Sequence, residues 1–129
     1  MLAPQRALVG GYRIDGMDVC GEECSEGLDT VDVRDGLGLA PLTVDLHAAQ
    51  AGTVSRAVAA VAAGLVKWAA AIDENTAAVL SRRGDEDYEV IGTGNCWDIR
   101  LTGGGATVSV RSPGCLQWRC PAPAAAPDD

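Results

Sequence analysis

The sequence predicts an α+β fold in which one long Ala-rich helix packs on a small antiparallel sheet that includes a C-terminal β-hairpin. Three observations support this fold class. Apolar residues recur at steps of three and four across residues 54–79, alternating segments flank three glycines near residue 104, and the chain has 129 residues, the size of one domain. We therefore predict a single domain over residues 1–120. Residues 121–129 consist of Pro, Ala and Asp and predict a disordered tail.

The helix is predicted over residues 43–83. Thr43 is a plausible N-cap, Arg82 and Arg83 suit the negative end of the helix dipole, and Gly84 fits the position just after a helix. The residues that flank the apolar stripe are mostly small, which would let another backbone approach closely. The stripe therefore predicts a contact with the sheet or with a second chain. Its members are Val54, Val58, Val61, Leu65, Trp68, Ile72, Asn75 and Val79.

The sequence patterns divide the rest of the domain into one strand, an acidic segment and a set of antiparallel strands. Residues 7–14 predict one strand, and residues 15–42 form an acidic, loop-rich segment that holds eight of the 18 acidic residues. Residues 87–112 predict antiparallel strands. Within them, residues 96–102 and 106–112 alternate in polarity and are joined by Gly103, Gly104 and Gly105, a pattern typical of a β-hairpin.

The charge balance limits the kinds of partner. The formal net charge is −8, and clustered basic residues of the kind that bind phosphate groups are missing from the sequence. This argues against nucleic acid and against an anionic membrane surface. The most apolar stretch, residues 57–72, contains Lys67 and is shorter than the roughly 20 residues that a membrane span needs. We expect no membrane span, a cytoplasmic location by default, and leaderless export as an alternative.

The five cysteines allow three interpretations. Cys20 and Cys24 form one pair and Cys115 and Cys120 a second, so four thiolates would suffice for a tetrahedral zinc site. In an oxidising compartment the same pairs would form local disulfides, with Cys96 left over. In the third interpretation the thiols are reduced and pack as small apolar side chains. We predict no cofactor and keep these four cysteines as candidate metal ligands.

No catalytic motif stands out. The acidic segment lacks the order of ligands found in an EF-hand, and it is read as a solvated loop. His47, the single histidine, has no nucleophile pattern around it, and phosphate-binding glycine loops are absent. Trp97, beside Cys96, and Trp118, between two cysteines, would suit partner contacts if exposed, but packing of both against the sheet is the more favoured interpretation. Enzymatic activity is therefore the less favoured class.

Residues 54–88 resemble one helix of the small helical-hairpin proteins of actinobacterial type VII secretion. That resemblance implies dimers exported without a cleaved leader. The Trp-x-Gly turn and the Tyr-x3-Asp/Glu signal of that family have no counterpart, because Ala70 and Gly92 occupy the decisive positions. The similar segments are residues 68–72, 77–80 and 85–88, within about a quarter of the chain.

These observations favour a non-enzymatic protein-interaction or self-associating module, with a protein partner or a second copy as its ligand. The alternatives are a small protein that depends on a structural metal or on its thiols, and an exported protein associated with type VII secretion. The candidate interaction residues are Val54, Val58, Val61, Leu65, Trp68, Ile72, Trp97 and Trp118.

Overall fold

The computed structural model describes residues 3–81 and 87–113. Strands contain nearly half of these residues, and helices far fewer. In chain order the elements are β1 (Pro4–Gly10), β2 (Arg13–Ile14), β3 (Met17–Asp18), a short 3-10 helix (Glu22–Cys24), β4 (Asp32–Asp35), β5 (Ala40–Leu46), α1 (Ala48–Ala51), α2 (Val54–Ala62), β6 (Trp68–Ile72), β7 (Thr76–Val79), β8 (Glu89–Gly92), β9 (Cys96–Thr102) and β10 (Gly105–Arg111).

A six-stranded mixed sheet forms the centre of the molecule. Its strands lie in the order β10-β9-β6-β5-β1-β4. Three adjacent strands, β1, β5 and β6, are parallel to one another, whereas β4, β9 and β10 run antiparallel to their neighbours. The pairs β2–β3 and β7–β8 form two separate two-stranded sheets. The predicted fold class, a long helix on a small antiparallel sheet, is therefore wrong.

Over residues 43–81 the predicted helix is replaced by strands and two short helices, the four-residue α1 and the nine-residue α2. The helix ends at Ala62 because the chain turns there: Gly64 has a φ of +80°, and the amide of Leu65 donates to the carbonyl of Ala60 at 2.9 Å. A left-handed glycine with such a bond back across the last turn is a common helix stop. The apolar spacing of three and four residues in the sequence therefore continues past the point where the helix ends.

The alanine-rich run after this stop is a central strand. Ala69, Ala70 and Ala71 of β6 are fully buried, and β6 lies between β5 and β9. A strand covered on both faces reads as a continuous apolar run without alternation. Burial here outweighs the high intrinsic helix propensity of alanine, a weak preference that tertiary contacts often override.

Two cores lie on opposite faces of the sheet. On the first face α2 packs against the sheet through Ala57, Ala60 and Val61, which contact Ala69 and Ala71 in one buried cluster. On the second face the β7–β8 pair covers a cluster made by β5, β6 and β9. That cluster contains Leu42, Val44, Ala70, Ile72, Tyr88, Val90 and Cys96. The small side chains of β6 thus serve both cores.

The remaining predicted segments differ in their details. The predicted strand 7–14 begins earlier, as β1, and ends at Gly10. The acidic segment 15–42 contains β3, β4 and the start of β5. The predicted hairpin is present: β9 and β10 pair from Gly105 with Thr102 to Arg111 with Cys96. The predicted tail, residues 121–129, lies outside the described residues.

Candidate functional site

The outer edge of β10 is the main candidate site. β10 pairs with β9 on one side and, among residues 3–81 and 87–113, has no strand on the other. It is seven residues long, and Arg111 at its end is its one charged residue. A long, uncharged edge presents a row of backbone donors and acceptors to which another strand can pair. This edge therefore has the chemistry of a strand-docking site.

The opposite edge of the same sheet is built differently. β4 has four residues, and three of them are charged: Asp32, Arg34 and Asp35. Arg34 and Asp32 form an exposed ion pair at 2.7 Å. Short, charged edges are a common protection against unwanted pairing. The contrast shows that only one of the two sheet edges is protected in this way.

An apolar strip lies beside the β10 edge on the helix-covered face. In the β9–β10 register Ala106 lies opposite Leu101 and Val108 opposite Ile99, and Ile99 belongs to the first core. Val108 and Val110 are 41% and 49% exposed. We call Leu101, Ala106, Val108 and Val110 the β10 strip. It extends the first core to the surface at the free edge.

The eight predicted interaction residues do not share one surface. Val61 and Ile72 are buried in different cores, and Val54 and Val58 pack half-buried against the first core. Leu65 is exposed after the helix stop. The helical stripe that united them in the prediction does not exist. Trp118 lies outside the described residues, and a role for any of the eight in binding a partner stays a prediction.

Two of the predicted tryptophans are held by buried carboxylates. The indole N–H of Trp68 donates to Asp98 at 2.7 Å, and that of Trp97 donates to Asp73 at 3.3 Å. Both side chains are half-buried. Their polar atoms are thus already paired within the fold, which assigns both residues a structural role. The valines of β10, in contrast, are recognisable in the sequence as part of an alternating strand, but no sequence signal marks them as a binding site.

The carboxyl ends of the parallel strands form the second candidate site, as is common in sheets of this kind. Asp45 on β5 and Arg56 on α2 meet there in a two-pronged ion pair, with N–O distances of 2.9 and 2.7 Å. Arg56 also donates to the carbonyls of Gly11 and Cys24. Asp45 and Arg56 are 1% and 4% exposed. The pair therefore ties α2 to β5 and to two loops, and these bonds occupy both charges.

A third polar cluster lies on the other face, around Asp98. Its carboxylate is 3% exposed and accepts from Trp68, from the Tyr88 hydroxyl at 2.9 Å and from Arg100 at 3.0 Å. Burial, together with the charge of Asp98, raises the pKa of Tyr88 far above its usual range, so the phenol stays protonated and donating. Arg111 lies over the Tyr88 ring at 4.4 Å. The cluster stabilises the second core and offers no unpaired group for chemistry.

The described cysteines are free thiols. Cys24 and Cys96 are buried and Cys20 is half-buried, whereas Cys115 and Cys120 lie outside the described residues. Within the described ranges, no three His, Cys, Asp or Glu side chains are grouped so as to hold a metal ion. A four-thiolate zinc site that includes Cys115 and Cys120 stays a prediction.

Cys96 is expected to resist alkylation in the folded protein. Burial raises the pKa of its thiol to about 12. Because the thiolate is the reactive form, a neutral-pH reagent should modify Cys96 at least about 100-fold more slowly than in urea. Iodoacetamide labelling followed by peptide mass spectrometry measures this ratio. Equal rates for Cys96 in the native and unfolded protein would contradict the buried position.

No protein-family model matches the chain, and no curated protein is similar to it. The resemblance of residues 54–88 to type VII secretion proteins thus stays a prediction. Within residues 3–81 and 87–113, none of the helices has the length and apolar character needed to cross a membrane.

Proposed function

We propose that this protein is a non-enzymatic interaction module that binds an extended segment of a protein partner along the free edge of β10. The observation that carries the proposal is the contrast between the two sheet edges. β4 is short and charged, whereas β10 presents seven residues and a half-exposed apolar strip. Strand addition uses such an edge: main-chain hydrogen bonds supply affinity, and alternate side chains supply specificity.

The other polar features support this choice indirectly. The buried charges of Arg56, Asp45 and Asp98 are all engaged in bonds that join elements of the fold. A catalytic group normally needs a free face toward a substrate. The β10 strip, by contrast, consists of apolar side chains that remain partly in contact with water. An added strand would cover these side chains, and their burial would favour binding.

A peptide with the sequence of residues 104–112 is the probe for strand addition. We expect it to shift the amide resonances of β10 and of the facing part of α2 in a two-dimensional NMR titration. The double substitution V108K/V110K should weaken this binding at least about tenfold, because the lysines place charge on the strip beside the pairing edge. Both valines are partly exposed, so the lysine side chains can reach water without unfolding the domain.

Ile91→Lys is the matched control. Ile91 lies on β8 and is 54% exposed, so it undergoes the same apolar-to-charged change away from the β10 edge. Peptide affinity should be unchanged in this variant. Shifts that are absent at a protein concentration where the chain is monomeric, or that lie outside β10 and α2, would overturn the proposed function. Binding that survives V108K/V110K unchanged would also overturn it.

A further inference from the structure

We propose that the strand that adds to β10 is the β10 of a second copy of this chain, related by a two-fold axis through Val108. This inference rests on the proposed function, since it names the partner of the same edge. A two-fold axis perpendicular to a sheet pairs a strand with itself in antiparallel orientation and keeps each face on its own side. The two sheets then become one continuous sheet, with both α2 helices on the same face.

The sequence of β10 fits this self-pairing. Val108 is the middle residue of Gly105–Arg111, so an axis at Val108 lets all seven residues pair. Val108 then faces its own copy, and Ala106 faces Val110. On the opposite face Thr107 lies opposite Ser109, where two hydroxyls can hydrogen bond. Cross-strand pairs of β-branched residues and of hydroxyl residues are stabilising.

Charge also permits this contact. The chain carries a formal net charge of −8, which would oppose most contacts between two copies. The β10 edge carries no acidic residue, and Arg111 falls opposite Gly105 in this register. Like charges directly across a strand pair are destabilising, and none meet here. The edge is thus a stretch without acidic residues on a strongly acidic molecule.

Burial provides the remaining driving force. In the joined sheet the β10 strips of the two copies lie side by side on the helix-covered face. Val108 and Val110, half-exposed in the single chain, would then extend the first core from one copy to the other. Because removal of apolar surface from water drives association, these two valines are the residues on which the dimer depends.

Charge swaps at Val108 test the partner and the register together. Sedimentation velocity should show a concentration-dependent dimer for the wild-type chain. Val108→Lys alone and Val108→Glu alone should each be monomeric, because each places like charges opposite one another. An equimolar mixture of V108K and V108E should restore the dimer, because Lys and Glu would then face each other. Ile91→Lys should remain dimeric, and amide spectra establish that every variant is folded.

The outcomes separate the two proposals. A wild-type chain that stays monomeric at every concentration, yet binds the peptide of residues 104–112 at β10, would overturn the second copy as partner and leave the proposed function standing. A dimer that survives V108K would overturn the β10 interface. Restoration by mixing V108K with V110E, but not with V108E, would overturn the register centred on Val108.

Discussion

Replacing Arg56 with methionine is expected to lower the free energy of unfolding by about 3–5 kcal/mol, the usual cost of removing one partner from a buried ion pair. The substitution leaves the carboxylate of Asp45 buried without its counter-ion. It also removes the donor to the carbonyls of Gly11 and Cys24. Urea unfolding followed by circular dichroism measures the change, with the slope of the transition unchanged.

Two variants make this result specific to burial. Arg34→Met removes the same side chain from an exposed pair with Asp32 and should cost no more than about 1 kcal/mol. The double variant D45L/R56M should recover part of the loss, because a well-packed apolar pair avoids the desolvation of an unpaired charge. An R56M protein as stable as R34M would contradict the described role of the pair.

Asp98→Ala is expected to lower the free energy of unfolding by about 2–6 kcal/mol, since each of two buried donors left without an acceptor costs about 1–3 kcal/mol. The donors affected are the Trp68 indole and the Tyr88 hydroxyl. Loss of packing between β6, β9 and the segment before β8 should accompany it. In a variant that is still folded, a weaker near-ultraviolet circular dichroism signal from the aromatic rings would report this loss of packing.

The isosteric change Asp98→Asn separates hydrogen bonding from shape. The amide retains one oxygen that can accept from Trp68 and Tyr88, which both donate to the same Asp98 oxygen. D98N should therefore lose less stability than D98A. Asp35→Ala, at a carboxylate that is 90% exposed, should have a small effect, within about 0.5 kcal/mol. Equal losses in D98A and D35A would refute the buried cluster.

Some of the fold could be predicted from local patterns. The β9–β10 hairpin has strict alternation on both strands and glycines at the turn, and these signals depend only on neighbouring residues. The α2 segment was also within the predicted helix, because its apolar face follows the helical period. These elements could be predicted because the sequence pattern of each matches its structure along its whole length.

The local sequence does not predict the central strands β5 and β6, and the reason is physical. β6 is an alanine-rich run in which Trp68 and Ile72 happen to continue the spacing of α2. Only the neighbours β5 and β9, both distant in sequence, make it a strand. β5 alternates Leu42, Val44 and Leu46 on the second face. Its Thr43, however, has the residue type of a helix N-cap, so the local sequence predicts a helix start there.

The sequence analysis predicted an interaction surface, but at a different place from the β10 edge. The sequence favoured an apolar surface for a protein partner or a second copy, and assigned it to the supposed helical stripe. The exposure of Val108 and Val110 depends on β10 lying at the end of the strand order, a property of the assembled sheet. Strand order depends on long-range pairing, which no local pattern encodes.

The most direct test of the β10 edge as the docking surface is amide hydrogen exchange, resolved by residue, over a series of protein concentrations. We expect the amides of Gly105–Arg111 to exchange more slowly as the protein concentration rises, while those of the charged β4 edge keep the same rate. In V108K the exchange rate of each β10 amide should be the same at every protein concentration. Exchange at β10 that is independent of wild-type concentration, with protection growing elsewhere, would contradict the account.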